Sequence, residues 1–253
     1  MPKLTWLAGE FRAAGITVVE EDGWKTRGRS WRGVGGLPDG GVQHHTSPPV
    51  PFPVTKLYKP TRIKCNWNVK PDGTLHLIAA GACNYSTGKG SSVVHDDVKA
   101  GRAPTGTALK RRLLDNMGGN SYFLNNETDH SGDGSPIPDA QYQTVLAAWV
   151  AVCRKLAWPA DKIIAHGEWS RRKPDPAWNG RDSHENAQQI RADITAALHA
   201  GDSGGLIAAV GSARPRLTDA AIAAAFNGGI IRRRNGNRYK PESAGAVKGI
   251  AYW

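Results

Sequence analysis

Leu4, Leu7, Phe11 and Ala14 recur at helical spacing, and Gly15 follows as a natural stop. Residues 16–20, Ile-Thr-Val-Val-Glu, predict a short strand. Residues 23–41 are rich in Gly, Arg and Trp and predict loop. Residues 41–45, Gly-Val-Gln-His-His, read as a strand end, cut off by Pro48, Pro49, Pro51 and Pro53. Two extended runs, 63–70 and 74–79, flank Pro71-Asp72-Gly73 and predict a hairpin. Residues 83–120 read as long, irregular and basic, 121–124 as a further strand, and 128–135 as polar loop. The clearest helix spans 139–157. Its stripe is Tyr142, Val145, Leu146, Trp149, Val152, Cys153 and Leu156, with Asp139 as N-cap and Trp158-Pro159 as stop. Residues 162–165 predict a buried strand running into His166. A last helix is expected over 184–199, with Ser183 as N-cap and Gly201 as stop.

Strands interleaved with helices predict an α/β class: a central mixed β-sheet flanked by helices, followed by a small basic C-terminal segment. One domain is expected over 1–200 and a linker over 201–213, where Gly201-Asp202-Ser203-Gly204-Gly205 marks a change in composition. Within 214–253, residues 218–226 predict a short Ala-rich helix, and 230–239 a basic hairpin turning at Asn235-Gly236. No internal repeat is visible.

A formal net charge of +11 favours polyanions at long range, either nucleic acid or an anionic bacterial wall. Residues 202–253 add to it, with eight Lys/Arg against three Asp/Glu. Residues 99–112 and Arg232-Arg233-Arg234 could track phosphates, yet no nucleic-acid-binding motif accompanies them, and no nucleic-acid partner is expected. Cys65, Cys83 and Cys153 form no paired framework or CxxC motif, which fits a reducing compartment. No apolar run reaches the ~18 residues of a membrane span, so no membrane insertion is expected. Residues 1–6 lack the basic start and apolar core of a secretory signal, so folding in a cytoplasm is expected.

Two stretches carry the chemistry: His44-His45-Thr46, and His166 followed by Arg172-Lys173-Pro174-Asp175-Pro176. Two histidines and one carboxylate can hold zinc with a fourth position open for water, and strand ends in such sheets are where sites gather. Adjacent His44 and His45 point to opposite sides of a strand, so only one binds metal directly. Of the remaining histidines, His76 reads as structural or surface. His95, His130, His184 and His199 are expected to be solvated.

Over roughly residues 4–198 the chain resembles the type 2 N-acetylmuramoyl-L-alanine amidases, a group that includes phage lytic amidases and peptidoglycan recognition proteins. Phe11-Arg12-Ala13-Ala14-Gly15 with Gly23-Trp24-Lys25-Thr26-Arg27-Gly28 is similar to the opening of actinobacterial and actinophage members. His44-His45-Thr46 matches the first zinc motif, Lys70-Pro71-Asp72-Gly73-Thr74 the hairpin after it, and Ala165-His166-Gly167-Glu168-Trp169 with 172–176 the second zinc motif. The resemblance implies a Zn2+ cofactor on His44, His166 and Asp175, with Lys173 stabilising the oxyanion. It also implies bacterial peptidoglycan as substrate, cut between N-acetylmuramic acid and L-alanine. For the general base, some members place a Tyr before the hairpin, where this chain has Cys65. Others close a Gly-Ile-Glu run with Glu, where this chain has Asn125-Asn126-Glu127. Glu127 is the candidate base, against a solvated carboxylate at a strand end. The implied role is that of an endolysin in the host cytoplasm, acting at the wall once the membrane is permeabilised. The basic C-terminal segment would hold anionic wall polymers or serve structure alone. The alternative for the whole is a non-catalytic peptidoglycan-binding module.

Overall fold

The computed structural model describes residues 3–105 and 114–200, and the backbone of two short strands beyond them. The chain divides into two compact units, Met1–Ala213 and Arg214–Trp253. The first unit is built on a six-stranded mixed sheet. Its strands are β1 (Val18–Glu20), β2 (Gly40–His45), β5 (Trp67–Val69), β6 (Leu75–Leu77), β9 (Phe123–Thr128) and β10 (Ile163–Ala165). They lie in the order β1-β6-β5-β9-β2-β10. Only the β5–β6 hairpin is antiparallel; β5, β9, β2 and β10 run parallel. Two small ribbons lie outside it: β3 (Tyr58–Lys59) with β4 (Arg62–Ile63), and β7 (Lys89–Gly90) with β8 (Met117–Gly118). The expected α/β class and mixed central sheet are observed.

Helix α1 (Leu7–Ala13) and helix α3 (Asp139–Leu156) cover one face of the sheet. The α3 stripe buries Tyr142, Val145, Leu146, Trp149, Val152 and Cys153 in a cluster shared with Phe11, Trp67, Leu75 and Leu77. Full burial contributes roughly 1.5–3 kcal/mol per large apolar side chain, so this face holds the sheet flat against its helices. Gly15 leaves α1 at φ +82°, and Gly73 turns the hairpin at φ +85°. The opposite face packs Val42, Phe123 and Ile164 against helix α2 (Ser92–Lys99) and Trp169 of helix α4 (His166–Trp169).

Several expectations are corrected. Residues 83–120, expected to be irregular, contain α2 and the β7–β8 ribbon. Besides His95, α2 buries only Val94 and Val98, too short a pattern of β-branched residues to announce a helix. The strand predicted over 121–124 runs on through Asn125, Asn126 and Glu127 to Thr128. The run 63–70 is broken: Ile63 pairs in the β3–β4 ribbon, and β5 begins at Trp67. Pro138, not Asp139, occupies the N-cap of α3, leaving Asp139 in the first turn, where its charge suits the helix dipole. Helix α5 (Ser183–His199) is capped by Asp182 rather than Ser183. The Asp182 carboxylate accepts from the His184 and Glu185 amides, and Glu185 completes a capping box.

In the second unit, β11 (Ile231–Arg232) and β12 (Arg238–Tyr239) pair antiparallel, as a hairpin there requires. The predicted linker, the 218–226 helix and the Asn235-Gly236 turn lie outside the described residues.

Candidate metal centre

The C-terminal ends of β2, β9 and β10 bring the predicted residues together. His44 is the fifth residue of β2, and β10 delivers His166 directly into the first turn of α4. Asp175 comes from the loop after α4. Its carbonyl accepts from the Gly167 amide at 2.9 Å, which draws the loop back across the site. A Cβ on Gly167 would lie 2.0 Å from Ser183 Oγ and 2.8 Å from the Lys173 carbonyl, so only glycine permits this approach.

His44, His166 and Asp175 are all buried and offer donor atoms that lie within 4.8 Å of one another. His44 Nδ1 is 2.9 Å from His166 Nδ1, and Asp175 Oδ2 is 3.1 Å and 2.9 Å from the two rings. Each Nε2 is engaged elsewhere, His44 with Asn125 Oδ1 at 3.0 Å and His166 with the Thr87 carbonyl at 3.0 Å. Burial disfavours the Asp175 carboxylate, but the His166 ring and then His44 outweigh it and hold its carboxyl well below the usual range.

Of the paired histidines, His44 lies in the donor cluster and His45 does not. His45 points to the other side of β2, where its Nδ1 accepts from the Ala177 amide at 3.1 Å. Burial pushes its pKa down to about 4, so the ring is neutral and serves as an acceptor that pins the chain two residues after Asp175.

Glu127 pairs in register with His44 on the neighbouring strand, so both side chains stand on one face of the sheet. Its Oε2 is shielded from solvent and has no hydrogen-bond donor among the described residues. Burial pushes its pKa up to about 8; the charges of His44, Lys64 and Lys173 oppose the rise, and Asp175 adds to it. Lys173 is exposed, and its charge reaches Glu127.

Three of the remaining histidines, His95, His130 and His184, depart from expectation. His95 is buried with Nε2 2.9 Å from Asp39 Oδ2, and His130 is buried edge-on to Trp178. His184 is half-buried against Glu168 at 2.5 Å. His76 meets Glu21 at 2.8 Å, a structural place as expected, and His199 is exposed.

Sequence reading also missed the residues that hold the site. Thr87 and Asn125 grip the His166 and His44 rings. Asp129 anchors the proline-rich loop after β2 by accepting from the Phe52 amide at 2.8 Å and from Lys70 Nζ at 2.7 Å. The one visible signal was a pair of asparagines inside a strand that is otherwise apolar at its start. Cys65, Cys83 and Cys153 are buried free thiols. Among the described residues, no helix is long and apolar enough to cross a membrane.

The family model described as N-acetylmuramoyl-L-alanine amidase matches residues 35–178, more than half of the chain and a span that holds all five predicted site residues. No curated protein sequence matches. Among solved structures, the endolysin N-acetylmuramoyl-L-alanine amidase LysCS from Clostridium intestinale URNW is similar at 14% identity. That match covers 70% of this chain and 95% of the other, with a TM-score of 0.45. A selenomethionine derivative of AmpD matches at 16% identity over 70% and 98%, with a TM-score of 0.43. The N-acetylmuramyl-L-alanine amidase AmiD from E. coli, in complex with an anhydro-muramyl peptide substrate, matches at 14% identity over 62% and 60%, with a TM-score of 0.41.

Proposed function

The chain belongs to the N-acetylmuramoyl-L-alanine amidase family. From that premise we propose that it is a zinc-dependent hydrolase that cuts the amide between N-acetylmuramic acid and L-alanine in bacterial peptidoglycan. The observation that carries this reading is the cluster of His44 Nδ1, His166 Nδ1 and Asp175 Oδ2 at the strand ends. Two imidazole nitrogens 2.9 Å apart beside a carboxylate oxygen are three acceptors crowded at one point, an arrangement that a cation relieves. Two histidines and one carboxylate also form a donor set that zinc uses in catalytic sites. His44, His166 and Asp175 would hold the ion. When bound, zinc acts as a Lewis acid that polarises the carbonyl and makes water acidic enough to attack near neutral pH.

The other residues divide the remaining work. Glu127 Oε2 takes the proton of the attacking water and delivers it to the departing L-alanine amine. Burial raises the proton affinity of this carboxylate, and a cation held beside it by His44, His166 and Asp175 would keep it ionised near neutral pH, as a base must be. The Lys173 ammonium, exposed beside the site, balances the negative charge that develops on the carbonyl oxygen. In the cell the protein acts as a phage endolysin, held in the host cytoplasm until the membrane is permeabilised. The basic segment 214–253 retains it on anionic wall polymers.

Mass spectrometry of digested peptidoglycan tests the reaction. Free lactyl groups paired with new L-alanine N-termini are expected from the wild type and not from His166→Ala. Cleavage of sugar links or peptide cross-links would overturn the assignment. Stoichiometric zinc without released stem peptide would leave a binding module.

A further inference from the structure

We infer that Asn125 and Thr87 are positioning residues that lock His44 and His166 in the Nε2–H tautomer, so that both Nδ1 lone pairs face Asp175. The inference rests on the zinc-amidase reading for its consequence, though not for its geometry.

It starts from two backbone carbonyls, groups that can only accept. The Asn125 amide atom 2.7 Å from the Phe123 carbonyl must be Nδ2, because an oxygen there would meet another oxygen. Oδ1 therefore faces His44 and Thr87. The Thr87 hydroxyl donates to it at 2.6 Å, and His44 Nε2, at 3.0 Å, has to donate as well. A neutral His44 then has a bare Nδ1. The same logic fixes the second ring. His166 Nε2 lies 3.0 Å from the Thr87 carbonyl and donates to it, so its Nδ1 is bare too.

One residue thus reaches both rings, Thr87 through its carbonyl to His166 and through its hydroxyl and Asn125 to His44. The network lies inside the protein. Thr87 and Asn125 are both buried. The Asn125 amide donates to Asn66 Oδ1 at 2.9 Å, and Asn66 is in turn tied to the Ala79 and Gly81 carbonyls. Partners of this kind typically alter metal affinity by about 10–100-fold when removed.

Three variants and three readouts separate positioning from mere structural support. Asn125→Leu removes the acceptor for His44. Asn125→Asp keeps that acceptor but sets a second oxygen against the Phe123 carbonyl, so it costs stability without freeing the His44 tautomer. Zinc affinity is measured by competition with a chelator, and thermal stability of the metal-free protein in parallel. Asn125→Leu is expected to bind zinc about 10–100-fold more weakly. Asn125→Asp is expected to stay near wild type despite a lower melting temperature. Thr87→Val should fall between them, and it serves as the test if Asn125→Leu does not fold. Long-range 15N–1H spectra of the metal-free protein should show His44 as Nε2–H in the wild type and as a mixture in Asn125→Leu. If the wild type binds no zinc, the proposed function fails while the spectra still decide the tautomer. Unchanged zinc affinity in Asn125→Leu, equal losses in both Asn125 variants, or an unchanged His44 tautomer would each overturn the inference.

Discussion

Two shielded glutamates sit in neighbouring regions of the molecule and are treated in opposite ways. Beneath β10, Glu168 is fully buried and fully partnered. Arg191 donates to both of its oxygens at 2.9 Å and 3.0 Å, His184 meets it at 2.5 Å, and the Ala165 amide closes the set at 3.0 Å. Burial works against its charge, but His184 and Arg191 win, and its carboxyl stays below the ordinary range. At the end of β9, Glu127 has an oxygen without a donor among the described residues, and its pKa rises to about 8. The first carboxylate is a fastener that fixes the turn carrying His166. The second is the group to which the proposed reaction assigns the proton transfer. A buried acid with every lone pair satisfied stabilises the fold, whereas one left wanting marks the place where chemistry is proposed.

Removing each glutamate's function should therefore register in a different assay. Glu127→Gln is expected to lower kcat by about 10²–10⁴ while zinc content and melting temperature hold, measured on a soluble muramoyl peptide. A large loss of stability instead would make Glu127 a second fastener. Arg191→Ala strands the Glu168 charge and should cost about 3–5 kcal/mol of stability by chemical denaturation. A stable Arg191→Ala protein that lost only activity would erase the contrast. Lys173→Ala is expected to reduce kcat by about 10²–10³ with unchanged zinc affinity, because the lysine is exposed and holds no part of the fold. The smallest effect concerns pH. Glu168 raises the pKa of His184, so the stability this pair contributes is fully present below the ordinary histidine pKa and is lost as pH rises through the raised one. His184→Gln should accordingly lower the melting temperature more at pH 5.5 than at pH 9; an equal drop at both would remove His184 from the network.

Helices α1, α3 and α5, the hairpin and the three residues of the proposed metal site were legible because each announces itself locally. The α3 stripe repeats at helical spacing, Pro71-Asp72-Gly73 names its own turn, and His44 and His166 stand at the ends of apolar runs. What stayed hidden depends on neighbours distant in sequence. Asn125 looks like a misplaced polar residue until Thr87 and His44 arrive from 38 and 81 positions away to meet its oxygen. His95 and His130 were expected in solvent because both fall in stretches that read as loop. Asp39 and Trp178 reach them only in the fold. Glu127 could be proposed from its position but not weighed, since its shielded oxygen is a property of three strands rather than of one.

The most direct test titrates zinc into the chelator-stripped protein while following new L-alanine N-termini from a muramoyl peptide. Hydrolysis should rise linearly and level off at one zinc per chain, with His44→Ala, His166→Ala and Asp175→Ala flat throughout. Hydrolysis that survives stripping, or zinc that saturates the wild type without releasing L-alanine, would contradict a zinc amidase built on these three residues.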